Sequence, residues 1–251
     1  MDDVLARVDG AVLVLTMNRP AKMNAITRSM YAGLSRHLTD AAGNFAIRTV
    51  VIQGAGAHFT AGNDIYDFIE EPPTGPDSPV SHFLEVIHNF PKPIIAAVSG
   101  NAVGIGTTML FHCEIVFASP SANFSMPFVS LGLVPEAGSS YIFPALAGYQ
   151  EASRIFLTGE SFSADEAKGY GLVSVICEDA QEQALVMAKR IAEQPPTSVI
   201  NTKALLKARS HDAITAVMKV EGELFMLALQ SDEAMAAFMK FTSKKSKGVT
   251  E

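Results

Sequence analysis

Two cysteines in 251 residues, Cys113 and Cys177, leave no material for a disulfide framework. Their apolar neighbours and unmatched spacing suit reduced core residues rather than a metal pair. No apolar run reaches the roughly 18 residues that cross a bilayer. The opening Met1-Asp2-Asp3-Val4-Leu5 has no basic region ahead of an apolar core, so a cytoplasmic location without membrane attachment is expected. Positive charge is short as well. A formal net charge of −7 excludes the dense basic field that general nucleic-acid or anionic-membrane binding requires. A small phosphorylated ligand is still allowed, because it needs only a few local cations and helix N-termini.

Familiar catalytic motifs are missing too. There is no Gly-x-Ser-x-Gly elbow, no phosphate loop ending in Gly-Lys-Ser/Thr and no His-Glu-x-x-His. The histidines at 37, 58, 82, 88, 112 and 211 show no ligand spacing, so no metal is expected. Gly104-Ile105-Gly106 lacks the further glycine of a dinucleotide fingerprint.

What is present is apolar: 48% of the chain is hydrophobic, high for a soluble protein, which points to apolar surface hidden between subunits. The length suits one large domain, or one domain with a smaller helical appendage. Val12–Met17 reads as a strand closed by Asn18-Arg19-Pro20. Thr27 caps a helix whose apolar positions Met30, Tyr31, Leu34, Leu38 and Ala41 recur at helical spacing. A strand at 49–52 and a short helix at 65–69 follow. Residues 71 to 79, with four prolines and a glycine, read as a mobile surface loop before a helix at 83–90. Strand 94–98, a glycine-rich loop 100–106, a helix near 107–112 and strand 115–118 repeat the first unit's order, which implies parallel strands in an α/β core. Ser163-Ala164-Asp165-Glu166 is a capping box, and 172–176 reads as a last strand. From about 181 successive helices, broken at Pro195-Pro196 and near Ser231-Asp232, carry an apolar stripe that packs on the core or on a neighbour.

Each βα unit delivers small residues to a strand end: Thr60-Ala61-Gly62 in one, Gly100 through Gly106 in the other. Small residues let backbone N–H groups approach a ligand, and free N–H groups suit an oxygen that turns negative during reaction. Tight turns would explain the same spacing, and spacing alone does not decide.

Phe59-Thr60-Ala61-Gly62-Asn63-Asp64-Ile65 resembles the first signature of the crotonase (enoyl-CoA hydratase/isomerase) superfamily, and Lys92 through Gly106 with Cys113-Glu114-Ile115-Val116-Phe117-Ala118 is similar to the second. Asn18 through Ala25 looks like the family's CoA-binding turn, and 157–173 like its later helical segment, so the likeness covers nearly the whole chain. It implies an α/β fold, a spiral of ββα units over 1–190 with a C-terminal helical trimerisation region over 191–251, assembled as a homotrimer or dimer of trimers. The implied substrate is an acyl-CoA, with no cofactor beyond the coenzyme A that belongs to it. The oxyanion hole would be the N–H groups of Asn63 and Ile105, where Ile105 is bulkier than the glycine many relatives carry. Lys22, Ala25, Ala61, Asp64, Ile65, Gly104, Pro127, Phe128, Pro135, Phe238 and Lys240 would line the substrate and CoA site, with Phe68 and Met126 as further tunnel candidates. Asp64 reads as a helix-start carboxylate rather than a base, and Lys22 is placed near the nucleotide end of CoA, an ordinary solvated lysine being the competing reading.

The two glutamates of the family's hydratases fall at Thr108 and Phe128, neither of which is a base. A carboxylate follows in Leu131 through Ser140, which looks like the segment of peroxisomal-type 3,2-enoyl-CoA isomerases, with Glu136 at the base's position. Its apolar flank would desolvate it and raise its pKa. The expected reaction is transfer of a double bond from 3-enoyl-CoA to 2-enoyl-CoA. Another enolate reaction, a hydratase with a rearranged base, or an acyl-CoA-binding protein without turnover are the alternatives.

Overall fold

The computed structural model describes residues 2–72, 75 and 77–247, the side chains of 241–247 excepted. Strands β1 (Val4–Asp9), β2 (Val12–Met17), β3 (Thr49–Gly54), β4 (Ile94–Val98), β5 (Asn101–Val103), β6 (Ile115–Ala118), β7 (Asn123–Ser125), β8 (Ser161–Ser163) and β9 (Val175–Ile176) form two sheets. The larger has the order β1-β2-β3-β4-β6-β9, the smaller β5-β7-β8. Only the β1–β2 hairpin is antiparallel in the larger sheet; its other pairs are parallel.

Strand alternation sorts the core onto two faces. Leu13, Leu15, Val50, Ile52, Ile94, Ala96 and Val116 face the main core. Their neighbours Val12, Val14, Val51, Ile95, Ala97 and Phe117 face the other way, onto Ala180, Ala184, Ala188 and Ala192. Those four alanines recur every fourth residue along helix Ala180–Ala192, giving a flat stripe that lies close on the sheet. This helix crosses the expected division at residue 190 and belongs to the sheet layer.

Local signals hold where polar caps announce them. The Thr27 hydroxyl accepts from the Met30 N–H at the start of helix Arg28–Gly43. Ser163 and Glu166 form the reciprocal capping box. Other expectations are corrected. Residues 4–9 form an edge strand, unannounced because most of its residues are exposed on both faces. The glycine-rich segment includes β5, and the helix expected near 107–112 is a short α-helix Ile105–Thr108 running into a 3-10 turn Met109–His112. Only Val175–Ile176 of the last expected strand pairs; Leu172 and Val173 are buried in the core instead. Residues 73, 74 and 76 of the expected loop lie outside the described residues, while Pro79 opens helix Pro79–Asn89 behind its Ser78 cap.

The C-terminal helices Pro196–Ala208, His211–Leu229 and Asp232–Lys247 pack on their own chain. Buried Lys203 donates to the Lys92 carbonyl (2.7 Å) and pairs with Glu114 (2.9 Å). Leu205, Leu206, Val220, Leu224, Leu227, Met235 and Met239 remain exposed on these helices. No helix among the described residues is long and apolar enough to cross a membrane.

Candidate active site

Two chain segments meet through backbone pairing. Thr60 bridges Ala102 in parallel: the Thr60 N–H donates to the Asn101 carbonyl (3.0 Å), and the Val103 N–H donates to the Thr60 carbonyl (3.1 Å). Glycine is required at the contact. Gly62 sits at φ +83°, and a Cβ there would lie 2.7 Å from the Val103 carbonyl oxygen. A Cβ on Gly106 would lie 2.5 Å from Thr60 Cγ2.

A third segment completes the frame. Met23 and Asn24 both adopt left-handed backbone. The buried Asn24 amide holds the Ala55 and His58 carbonyls at 2.9 and 2.7 Å, and the Thr60 hydroxyl donates to the Asn24 carbonyl (2.7 Å). This turn sets Lys22 and Ala25 beside Ala61.

Between these segments and helix Asp232–Lys247 lies a cavity of about 720 Å3. Lys22, Ala25, Ala61, Asn63, Asp64, Ile65, Gly104, Ile105, Pro127, Phe128, Phe238 and Lys240, all expected in the site, line it. Phe68 lines it as well, whereas Met126 is fully buried core and Pro135 lies outside the lining. Val103, Leu131, Leu133 and Phe225 also contribute to the wall. Val103, Leu131 and Leu133 lie in segments read for their family likeness but were not expected as lining, and Phe225 reads as ordinary core. Asp64 caps helix Ile65–Glu70 through the Tyr66 N–H and pairs with Arg19 at 2.9 Å, a structural carboxylate rather than a base.

The N–H of Asn63 follows Gly62, and that of Ile105 opens a helix after Gly104, where no preceding turn supplies an acceptor. Among the described residues neither N–H donates to a protein acceptor. Tyr31, fully buried on helix Arg28–Gly43, donates its hydroxyl to the Asn63 side-chain oxygen and so pins the first of these two residues. Sequence spacing marked Tyr31 only as part of an apolar stripe, so this hydroxyl was missed.

Glu136 is not part of the cavity lining; it is buried, 5% exposed, and its Oε1 has no hydrogen-bond partner. Burial first, and the charge of Glu221 second, push its pKa up to about 8. Its charge also reaches Tyr31, whose pKa is raised well above the usual phenol value by burial and then by Glu136. Thr108 is buried with its hydroxyl unpartnered, and Phe128 is apolar wall.

Residues 7–248 match the family model described as enoyl-CoA hydratase/isomerase. The chain belongs to the enoyl-CoA hydratase/isomerase family. Enoyl-CoA delta isomerase 2 of Rattus norvegicus is 33% identical over 252 residues, covering 97% of this chain and 64% of the relative. The chain thus spans just under two thirds of that protein's length. The 2,3-dehydroadipyl-CoA hydratase of Escherichia coli (strain K12) is 32% identical, covering 98% of each chain. The solved structure of Pseudomonas aeruginosa OdaA superimposes with a TM-score of 0.94 at 41% identity, covering 96% of this chain and 99% of that one.

Proposed function

We propose that this chain is an acyl-CoA isomerase that shifts the double bond of a 3-enoyl-CoA to the conjugated 2-position. The observation that carries the reading is the buried, unpartnered carboxylate of Glu136, with its pKa at about 8, in a chain whose Asn63 and Ile105 N–H groups have no protein acceptor among the described residues. A base that holds a proton near neutral pH can both take and return one.

In the proposed step the thioester carbonyl oxygen accepts hydrogen bonds from the N–H groups of Asn63 and Ile105. Glu136 removes a proton from C2, the electron pair moves into a dienolate, and the negative charge collects on that oxygen. Each such donor is worth about 3 kcal/mol of the barrier. Protonated Glu136 then returns the proton to C4, the C3–C4 double bond becomes C2–C3, and the carboxylate is regenerated. No water is consumed. Burial of Glu136 keeps bulk water from the proton in transit.

Lys22 and Lys240, both in the lining, would meet the phosphates of coenzyme A, while Phe68, Phe128 and Phe238 would flank the acyl chain. The exposed apolar residues on the C-terminal helices suit a homotrimer or dimer of trimers. A hydration reading draws support from the E. coli relative, but Thr108 and Phe128 offer no carboxylate.

The test offers purified protein a 3-enoyl-CoA and a 2-enoyl-CoA separately, following conjugation by ultraviolet absorbance and water addition by chromatography. Conjugation in the first tube, abolished by Glu136→Gln with acyl-CoA binding retained, is expected. Water addition to the second substrate alone would overturn the reading.

A further inference from the structure

We propose that Glu221, on helix His211–Leu229, is the positioning residue for Glu136, gripping the turn that carries the base and keeping a negative charge beside it. The inference rests on the reading of Glu136 given above.

The turn needs a grip. Ala137 and Gly138 follow Glu136 at φ +61° and +73°, two consecutive left-handed residues, the first an alanine that gains nothing from that conformation. Glu221, 6% exposed, accepts the Gly138 N–H at 2.6 Å on one carboxylate oxygen. Its other oxygen accepts the Ser140 N–H at 2.9 Å and the Ser140 hydroxyl. From the opposite side His112 Nε2 donates to the Ala137 carbonyl at 2.8 Å. The same helix seats the turn by shape, since a Cβ on Gly138 would lie 2.8 Å from Ile214 Cγ2.

The two carboxylates divide one job between them. Burial raises the Glu221 pKa above the ordinary carboxylate value, and the donors on both of its oxygens, Ser140 and the Gly138 N–H, oppose that rise and favour the ionised form. Glu136 has a buried oxygen without a donor. Among the described residues, the titratable groups whose charge acts on or is acted on by Glu136 are Tyr31 from helix Arg28–Gly43 and Glu221 from helix His211–Leu229. His112 reaches it only through the Ala137 carbonyl, and burial keeps that imidazole neutral by lowering its pKa to about 3. With an anion on one side and apolar burial around it, Glu136 is the carboxylate that takes up the proton.

Three proteins are compared: wild type, Glu221→Gln, which keeps the shape and removes the charge, and Glu221→Asp, which keeps the charge and loosens the grip. The measurement is kcat/KM for conjugation of a 3-enoyl-CoA from pH 5 to 9, with circular dichroism melts on each protein. Glu221→Gln is expected to move the acid limb down by about one pH unit. Glu221→Asp is expected to leave the limb in place and lower kcat about tenfold. A slower Glu221→Gln enzyme with an unmoved acid limb would overturn the proposal, because a purely structural prop changes rate without changing the base. Should Glu221→Gln not fold, carbon-13 NMR titration of the labelled wild-type glutamates decides: Glu136 losing its proton at higher pH than Glu221 supports the proposal, and the reverse order overturns it. Failure of the underlying reading looks different, as undiminished turnover by Glu136→Gln.

Discussion

Replacing Glu136 by glutamine should change how stability depends on pH, and by an amount the structure sets. The unfolded chain releases the Glu136 proton near the ordinary value of 4.5, whereas the folded protein keeps it until about 8. Between those values the folded state holds a proton that the unfolded state has lost, so stability is fully present below about 4.5 and declines as pH rises towards 8. Each pH unit of that window is worth about 1.4 kcal/mol, which bounds the loss at about 5 kcal/mol. Water entering around the ionised group reduces it to about 2–3 kcal/mol. Glutamine has no proton to lose. Urea unfolding of wild type and Glu136→Gln at pH 5, 7 and 9, at one fixed protein concentration, isolates this contribution because every other titrating group is shared. The variant should gain on wild type by about 2–3 kcal/mol from pH 5 to pH 9. A stability difference that stays flat across that range would refute the buried, proton-holding carboxylate.

The same group should govern the rate: with its pKa at about 8, kcat/KM for 3-enoyl-CoA is expected to rise with pH and level off above about 8, because in the proposed step only ionised Glu136 can accept a proton. A stopped-flow pH profile checks this, and a limb near pH 4.5 would contradict it. Gly62→Ala places a Cβ against the Val103 carbonyl at a left-handed residue, so it should cost about 2 kcal/mol or more in urea unfolding and at least 100-fold in kcat. Lys203→Met removes the donor shared by the Lys92 carbonyl and the Glu114 carboxylate. It should destabilise the protein by about 2–3 kcal/mol by urea unfolding, with kcat per folded molecule unchanged.

The parallel strands were legible because burial on both faces writes them as unbroken apolar runs, as in Ile94–Val98. Helix starts were legible where a hydroxyl or carboxylate does the capping, as at Thr27 and Ser163. The three-residue strands β5, β7 and β8 were not, since they are too short to establish a period. Edge strand β1 has one pairing partner and little to bury. At the site, the two glycine-bearing loops were visible as small-residue clusters, but only their likeness to a family raised them above ordinary turns. Glu221 was invisible for a different reason: its partner Gly138 is 83 residues away in sequence, and no local pattern encodes that contact. The Tyr31 hydroxyl was hidden by its own ring, which earns its place in the apolar stripe whether or not the hydroxyl finds Asn63.

The central claim is that one buried carboxylate carries one proton from C2 to C4 of an acyl-CoA. A 3-enoyl-CoA dideuterated at C2 tests it directly, with the product's label located by NMR after a single passage over the enzyme in ordinary water. The account predicts a 2-enoyl-CoA with one deuterium left at C2 and the other delivered to C4, because Glu136 is shielded from solvent. Product with no deuterium at C4, or substrate recovered unchanged, would contradict it.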